Sequence, residues 1–428
     1  MIEQITIRKV TWRLIPFLFL LYVVAWLDRV NVGFAALQMN QDLGFSSSVY
    51  GFGAGVFFAG YALFEVPSNL VLARVGARLW IARIMFTWGL ISIATMFISD
   101  PLSFYVLRFL LGVAEAGFFP GIIYYLSDWY PARQRARAVG WFMAAIPLSI
   151  VFGGPLAGIL LELHGLLGLA GWQWLFLLEG TPAVLLAFVT LLVLTDHPEQ
   201  ARWLTPEEKQ WLGKTINSEQ TQARELHGVG LKRALLHPTV WLLALILLAC
   251  QTGSYGLSLW IPQILKDLSG LGDFQIGLIT AVPYLAAAVG MVLIGAHSDR
   301  SGERILHIAV PSMFAVIGFC FSAILTSPLP GMIALTVAAV GDLGSRGPFW
   351  ALPGRFLSGS ASAGGIALIN TIASLGGFIG PYAVGVVRDM TGSYTGGLLF
   401  LAALLCTGII GTLLLHRAPV LSDEHVSE

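Results

Sequence analysis

Six charged residues sit where charge is expensive. Asp28 and Arg29, Arg108 and Glu115, and Asp342 and Arg346 all lie inside long apolar runs, and a charge at the centre of a bilayer costs at least about 2.5–3.5 kcal/mol on insertion scales. Each must be paired, bathed in cavity water, or both. A guanidinium offers a planar fork of donors that matches a carboxylate bidentately, so Arg29 and Arg108 are candidates to hold an organic anion. Asp28 and Glu115 are candidates to carry a proton, because a buried carboxylate takes one up when its arginine partner is engaged elsewhere. Arg108, Gly112 and Glu115 stand at i, i+4 and i+7, which aligns both charges on one helical face. Counted from the outer helix ends, Arg29 is roughly 13 Å deep and Arg108 roughly 9 Å, so the two can meet one anion from two sides. The plainer alternative is that these four charges neutralise one another and staple two helices together; a carrier at rest does both.

Asp342 and Arg346 stand one helical turn apart. Arg346 can reach a second carboxylate of the same ligand, or the pair can simply neutralise itself. Gln251, Ser254, Tyr255 and Ser258 share one helical face and read as cavity lining more readily than as packing glue. Glu65 and Glu179 are expected toward helix ends, where snorkelling accounts for them, and Trp172, Trp174 and Trp260 fit interfacial belts. The eight histidines are scattered, and Cys250, Cys320 and Cys406 lie in apolar runs without ligand spacing. No metal site, cofactor, disulfide framework or enzymatic nucleophile–base set is indicated.

The elements that hold these groups follow from composition. The chain is 56% hydrophobic and only 11% charged, against about 25% charged for a soluble domain, so lipid is its main solvent and no nucleic-acid-binding face is expected. Spanning a bilayer takes about 20 apolar residues as helix, and twelve such runs are expected near 14–37, 50–73, 79–98, 102–127, 136–162, 172–195, 238–265, 274–297, 305–325, 329–357, 362–388 and 394–416. The first lacks a cleavable signal pattern. A polar stretch over 196–237 separates an N-terminal six-helix bundle, 1–195, from a C-terminal one, 238–428. With both termini cytoplasmic, nineteen of the 24 Lys and Arg residues, from Arg8 to Arg417, fall inside and only Lys266 and Arg388 outside, as the positive-inside rule requires. Arg74, Gly76 and Arg78 recur at a shift of 226 as Arg300, Gly302 and Arg304, and Gly154-Pro155 as Gly380-Pro381. Parallel halves related about the membrane normal, with a substrate site between them, are the expected consequence.

Gly-Ala-His-Ser-Asp-Arg-Ser-Gly-Glu-Arg, residues 295–304, resembles the loop between the second and third helices of each half of a major facilitator; the first-half copy, Asn69 to Arg78, has Ala73 where the acidic residue usually stands. Further segments resemble the anion:cation symporter branch, which includes tartrate, phthalate, hydroxyphenylacetate and sugar-acid carriers. They are Trp26-Leu-Asp-Arg-Val-Asn31, Gly60-Tyr-Ala-Leu-Phe-Glu-Val-Pro-Ser-Asn69, Arg108-Phe-Leu-Leu-Gly-Val-Ala-Glu115, Pro348-Phe-Trp-Ala-Leu-Pro353 and Gly364-Gly-Ile-Ala-Leu-Ile-Asn370. The resemblance implies the major facilitator fold, two six-helix bundles around a central cavity, in a bacterial inner membrane. It implies proton-coupled import of an organic carboxylate by a monomer, with tartrate the best single choice and an uncoupled exchanger or uniporter the alternative. It also implies that Tyr61, Trp350 and Asn370 contact substrate, the rings along its carbon skeleton and the amide at its oxygens.

Overall fold

Lipid offers no partner to backbone N–H and C=O groups, so a long apolar run satisfies them internally by winding into a helix. A computed structural model of the chain describes residues 2–225, 236–353 and 359–415. Among the described residues, twelve runs are long and apolar enough to cross a membrane. In chain order the helices are α1 Ile2–Asp42, α2 Ser47–Val75, α3 Ala77–Ala94, α4 Pro101–Glu115, α5 Phe118–Trp129, α6 Ala132–Met143, α7 Ala145–Leu161, α8 Gly171–Val193, α9 Pro206–Glu225, α10 Pro238–Ser269, α11 Asp273–Ser301, α12 Ile305–Ile324, α13 Pro328–Gly344, α14 Arg346–Trp350, α15 Gly359–Ser374, α16 Gly376–Thr391 and α17 Thr395–Leu415.

Every expected span has its counterpart, with three informative differences. The first span starts at Ile2 rather than near residue 14, because the polar N-terminal turns continue the helix beyond its apolar core. They are held there by the connecting helix α9, whose Glu208 takes a 2.7 Å bond from Lys9. Burial pushes the Glu208 carboxyl up, but the Lys9 ammonium and the Thr205 N–H outweigh it and hold the group below the ordinary glutamate range. The fourth span is broken rather than continuous: α4 ends at Glu115, and Gly117 adopts a left-handed φ of 86° before α5 begins, a conformation that glycine reaches without steric cost. The tenth span has a gentler break at Ser345, between α13 and α14, like those at Ala144 in the fifth span and Leu375 in the eleventh. The interruptions at Gly117 and Ser345 lie beside charged residues, as in carriers whose sites are built on discontinuous helices. Lys232, Arg233, Arg355 and Arg417, assigned above to the inner side, lie outside the described residues.

The internal repeat is visible in the backbone. Gly76 and Gly302, matched at the 226-residue shift, both take positive φ, 98° and 72°, at the turns after α2 and α11. The first six spans pack among themselves through α1 on α7 and α8, α2 on α4, and α3 on α8, and they meet the last six along α7 on α11, α2 on α16, and α1 on α10.

One end of this interface is laced by polar bonds between the two sets. Gln38 donates to Asp273 at 2.7 Å, Tyr50 to the Leu259 carbonyl at 2.6 Å, and the Ser47 and Ser48 amides to Asp389 at 2.9 and 2.7 Å. Trp260 is fully buried there and donates to the Pro381 carbonyl at 3.0 Å, and Trp172 is buried with its N–H on Asp42 at 2.9 Å. Neither ring belongs to a lipid-facing belt, because α10 meets α16 and α1 meets α8 at these points.

Candidate functional site

The broken fourth span sets the first half of the site. Gly112 lets α4 lie against α2 so closely that a Cβ there would collide with the Phe57 carbonyl. That approach carries Arg108, one turn earlier, into the bundle centre. Arg108 is completely buried and none of its three guanidinium nitrogens has a hydrogen-bond partner among the described residues. The Phe57 ring lies 5.1 Å from its guanidinium carbon, and the Glu115 and Asp28 carboxylates are within electrostatic range without bonding to it. Buried donors left without acceptors cost about 1–3 kcal/mol each, and Arg108 presents five.

Arg29, from α1, stands over the same ring at 5.5 Å, and over Trp26 and Tyr61 at 5.3 Å each. It donates a very short bond to Glu115 and leaves its Nε without a partner. Both arginines therefore share one aromatic platform, Phe57, and Tyr61 flanks Arg29 as part of it, worth about 0.5–2 kcal/mol per desolvated cation–ring pair. Glu115 thus has an arginine partner, as the paired reading supposes. Asp28 does not: it accepts from the Trp88 indole at 2.6 Å and from Ser92 at 2.7 Å, with Asn31 at 3.4 Å. Trp88 and Ser92 come from α3, which sequence spacing gives no means of placing. Glu179, expected to snorkel, is instead buried at 4% exposure beside Asn31 and Asp28, with Oε2 unpartnered.

The second half of the site is built on α10 and the α13–α14 break. Arg346 donates at 2.9 Å each to Asp342, to Ser254 and to the Cys250 carbonyl, and Ser254 donates a very short bond back to Asp342. All three of these bonds leave from Nη2, so Arg346 is paired where Arg108 is not. Tyr255 bridges the two sides: its ring stacks on Trp26 at 6.2 Å and lies 4.2 Å from Phe58. Gln251, half-buried one turn before, makes no side-chain hydrogen bond among the described residues. Trp350 packs on Phe349 at 5.5 Å and is half-buried, without a ring or hydrogen-bond contact to the arginines among the described residues. Asn370 is occupied: it donates at 2.8 Å to Glu65 of α2. Glu65, set aside in the sequence as a helix-end residue, is 5% exposed and reaches across to α15.

Residues 18–381 match the family model described as the Major Facilitator Superfamily. The chain belongs to that superfamily. One relative, a protein of Agrobacterium vitis provisionally named a tartrate transporter, is 54% identical over 417 residues, or 97% of this chain and 92% of the relative. The quinolone resistance transporter of Acinetobacter baumannii is 44% identical, over 97% of this chain and 95% of its own. The inner membrane transport protein RhmT of Escherichia coli strain K12 is 41% identical over 97% of each. Among solved structures, the crystal structure of a bacterial homologue of the human lysosomal transporter Spinster, in an inward-facing and occupied conformation, superposes with a TM-score of 0.77. It shares 17% identity over 94% of this chain and 96% of its own, which bears on the fold alone.

This major facilitator is therefore a multi-pass membrane transporter, with twelve spans among the described residues, and the all-helical architecture of those residues is the one the motifs imply. Within it, Glu65, Glu179, Trp88 and Ser92 are the site-related residues that sequence spacing missed. For Glu65 the available signal was its company: it lies in the same Gly60–Asn69 segment as Tyr61, one helical turn away.

Proposed function

We propose that the protein is a secondary carrier that imports an organic carboxylate anion, tartrate or a related hydroxy-dicarboxylate, across a bacterial inner membrane together with protons. The observation that carries this reading is Arg108: a fully buried guanidinium whose donors find no acceptor among the described residues. A carboxylate supplies what it lacks, two parallel charge-assisted bonds in a low-dielectric site. The names of the Agrobacterium vitis relatives, 54% and 53% identical, favour a tartrate-like anion. Arg346 and the unengaged amide of Gln251 stand ready for its far end, with Tyr255 along its middle.

Coupling follows from the Arg29–Glu115 pair. A substrate carboxylate that draws Arg29 away leaves Glu115 buried without a cation, and the buried acid is then favoured in its neutral form. Substrate and proton load together, and alternating access carries both across.

Counterflow in proteoliposomes against a panel of mono- and dicarboxylates tests the cargo. Exchange of hydroxy-dicarboxylates with no exchange of neutral polyols is expected; equal exchange of both would overturn an anion site. A pH jump on the same vesicles separates symport, in which uptake follows the proton gradient, from an exchanger or uniporter that ignores it.

Orientation gives a separate expected result. Single cysteines at Ser99 and Ser301, both exposed and at opposite ends of the spans, should label from outside and from the cytoplasm respectively in otherwise cysteine-free protein. External labelling of Ser301→Cys would invert the topology drawn from the arginine distribution.

A further inference from the structure

We propose that Glu65 works an inner gate: its carboxylate clasps Asn370 and Thr371 across the two halves, and the carrier opens toward the Val75 end of α2 only when that clasp is released. The proposal rests on the carrier reading above and adds a residue to its machinery.

Two kinds of contact join the helices concerned. Near the Ser47 end, α2 and α16 touch backbone to backbone: a Cβ on Gly51 would lie 2.5 Å from the Pro381 carbonyl oxygen, and one on Gly55 2.9 Å from that of Phe378. Contact of this closeness cannot slide without collision. Further along, it gives way to side chains. Glu65 accepts from the Asn370 amide at 2.8 Å and from the Thr371 hydroxyl at 3.3 Å. By helix rise, Glu65 is roughly 27 Å from Ser47 and roughly 15 Å from Val75. The glycine seam is a pivot, and the carboxylate ties the arm on its far side.

The chemistry of the clasp suits a gate better than a staple. Both donors are neutral, and no cation forms a salt bridge with Glu65 among the described residues, although Arg29 lies within electrostatic range. An apolar pair would hold two helices at less cost than a buried carboxylate on neutral donors. A bond of this kind has a small net worth once its exchange with other partners is counted, which holds a closed state and yields to a competitor. The competitor is the substrate: on the carrier reading above Asn370 contacts it, and a substrate oxygen that accepts its N–H takes one of the two bonds from Glu65. Occupancy then loosens the gate without any contact between substrate and Glu65.

The test uses the full-length protein with Cys250, Cys320 and Cys406 replaced by alanine and spin labels at Leu70 and Ile366, which are exposed on the inner parts of the two helices. Electron–electron distance distributions are recorded without substrate. For Glu65→Ala the open-to-closed ratio should rise about tenfold. Thr371→Val, nearly isosteric and missing one bond, should shift the distribution in the same direction by a smaller factor, and Glu65→Gln, whose amide oxygen still accepts, should stay near the parent. Distributions for Glu65→Ala and Thr371→Val that coincide with the parent would overturn the proposal. No substrate is present in the measurement, so an error in the cargo assignment shows in counterflow and not here.

Discussion

Arg108→Lys is expected to lower the affinity for a hydroxy-dicarboxylate about 30-fold, a change that calorimetry on the purified protein would read. The substitution keeps the charge and removes the fork. An ammonium on a flexible stem satisfies one carboxylate oxygen at a time, and one charge-assisted bond of about 2 kcal/mol corresponds to about that factor. The environment sharpens the effect, since Arg108 is fully buried with no acceptor among the described residues and none of its binding energy is spent on exchanging one partner for another. Arg29→Lys should cost less, because Arg29 is already committed to Glu115. Unchanged affinity in both lysine variants would sink the carboxylate clamp.

Glu115→Gln should abolish uphill uptake while leaving exchange intact. With the membrane potential clamped, one pH unit sustains at most about tenfold accumulation per coupled proton, and the variant should fall to no accumulation at all. Glutamine imitates the protonated acid and cannot titrate, so loading no longer depends on the gradient; Arg29, relieved of its partner, remains free to hold substrate. Counterflow and proton-driven accumulation in the same vesicles give the two readouts. Accumulation equal to the parent would make Glu115 a structural partner of Arg29 and move the coupling to Asp28 or to the Asp342–Arg346 pair. Asp28→Asn is the informative companion. Its carboxylate sits on Trp88 and Ser92 rather than on an arginine, so uphill uptake retained in this variant and lost in Glu115→Gln would assign the coupling to Glu115.

The spans were legible because twelve apolar runs of sufficient length leave the backbone no other solution in lipid. The arginines were legible for the same energetic reason: Arg29 and Arg108 are conspicuous in such runs. What the chain alone does not disclose is which helix faces which. Spacing puts Arg108 and Glu115 on one face of α4, yet Glu115 bonds Arg29 of α1, and Asp28 turns from its neighbour to α3. Glu65 shows the limit most plainly. Its distance from the helix end suggested a route to water, and only the packing of α2 on α15 and α16 reveals that its partners lie across the interface. The break after Glu115 escaped notice because glycines are common in membrane helices, and Gly117 is one of 48.

The two ends of the site are chemically unlike. One offers a bare guanidinium on Phe57; the other offers Arg346, already bound to Asp342, Ser254 and the Cys250 carbonyl, with the Gln251 amide beside it and the Tyr255 ring between. Unlike contacts that do not share one plane make a handed receptor. If the cargo is the hydroxy-dicarboxylate proposed above, its two mirror forms should therefore exchange at different rates in counterflow, and the difference in wiring between the halves would select configuration as well as charge.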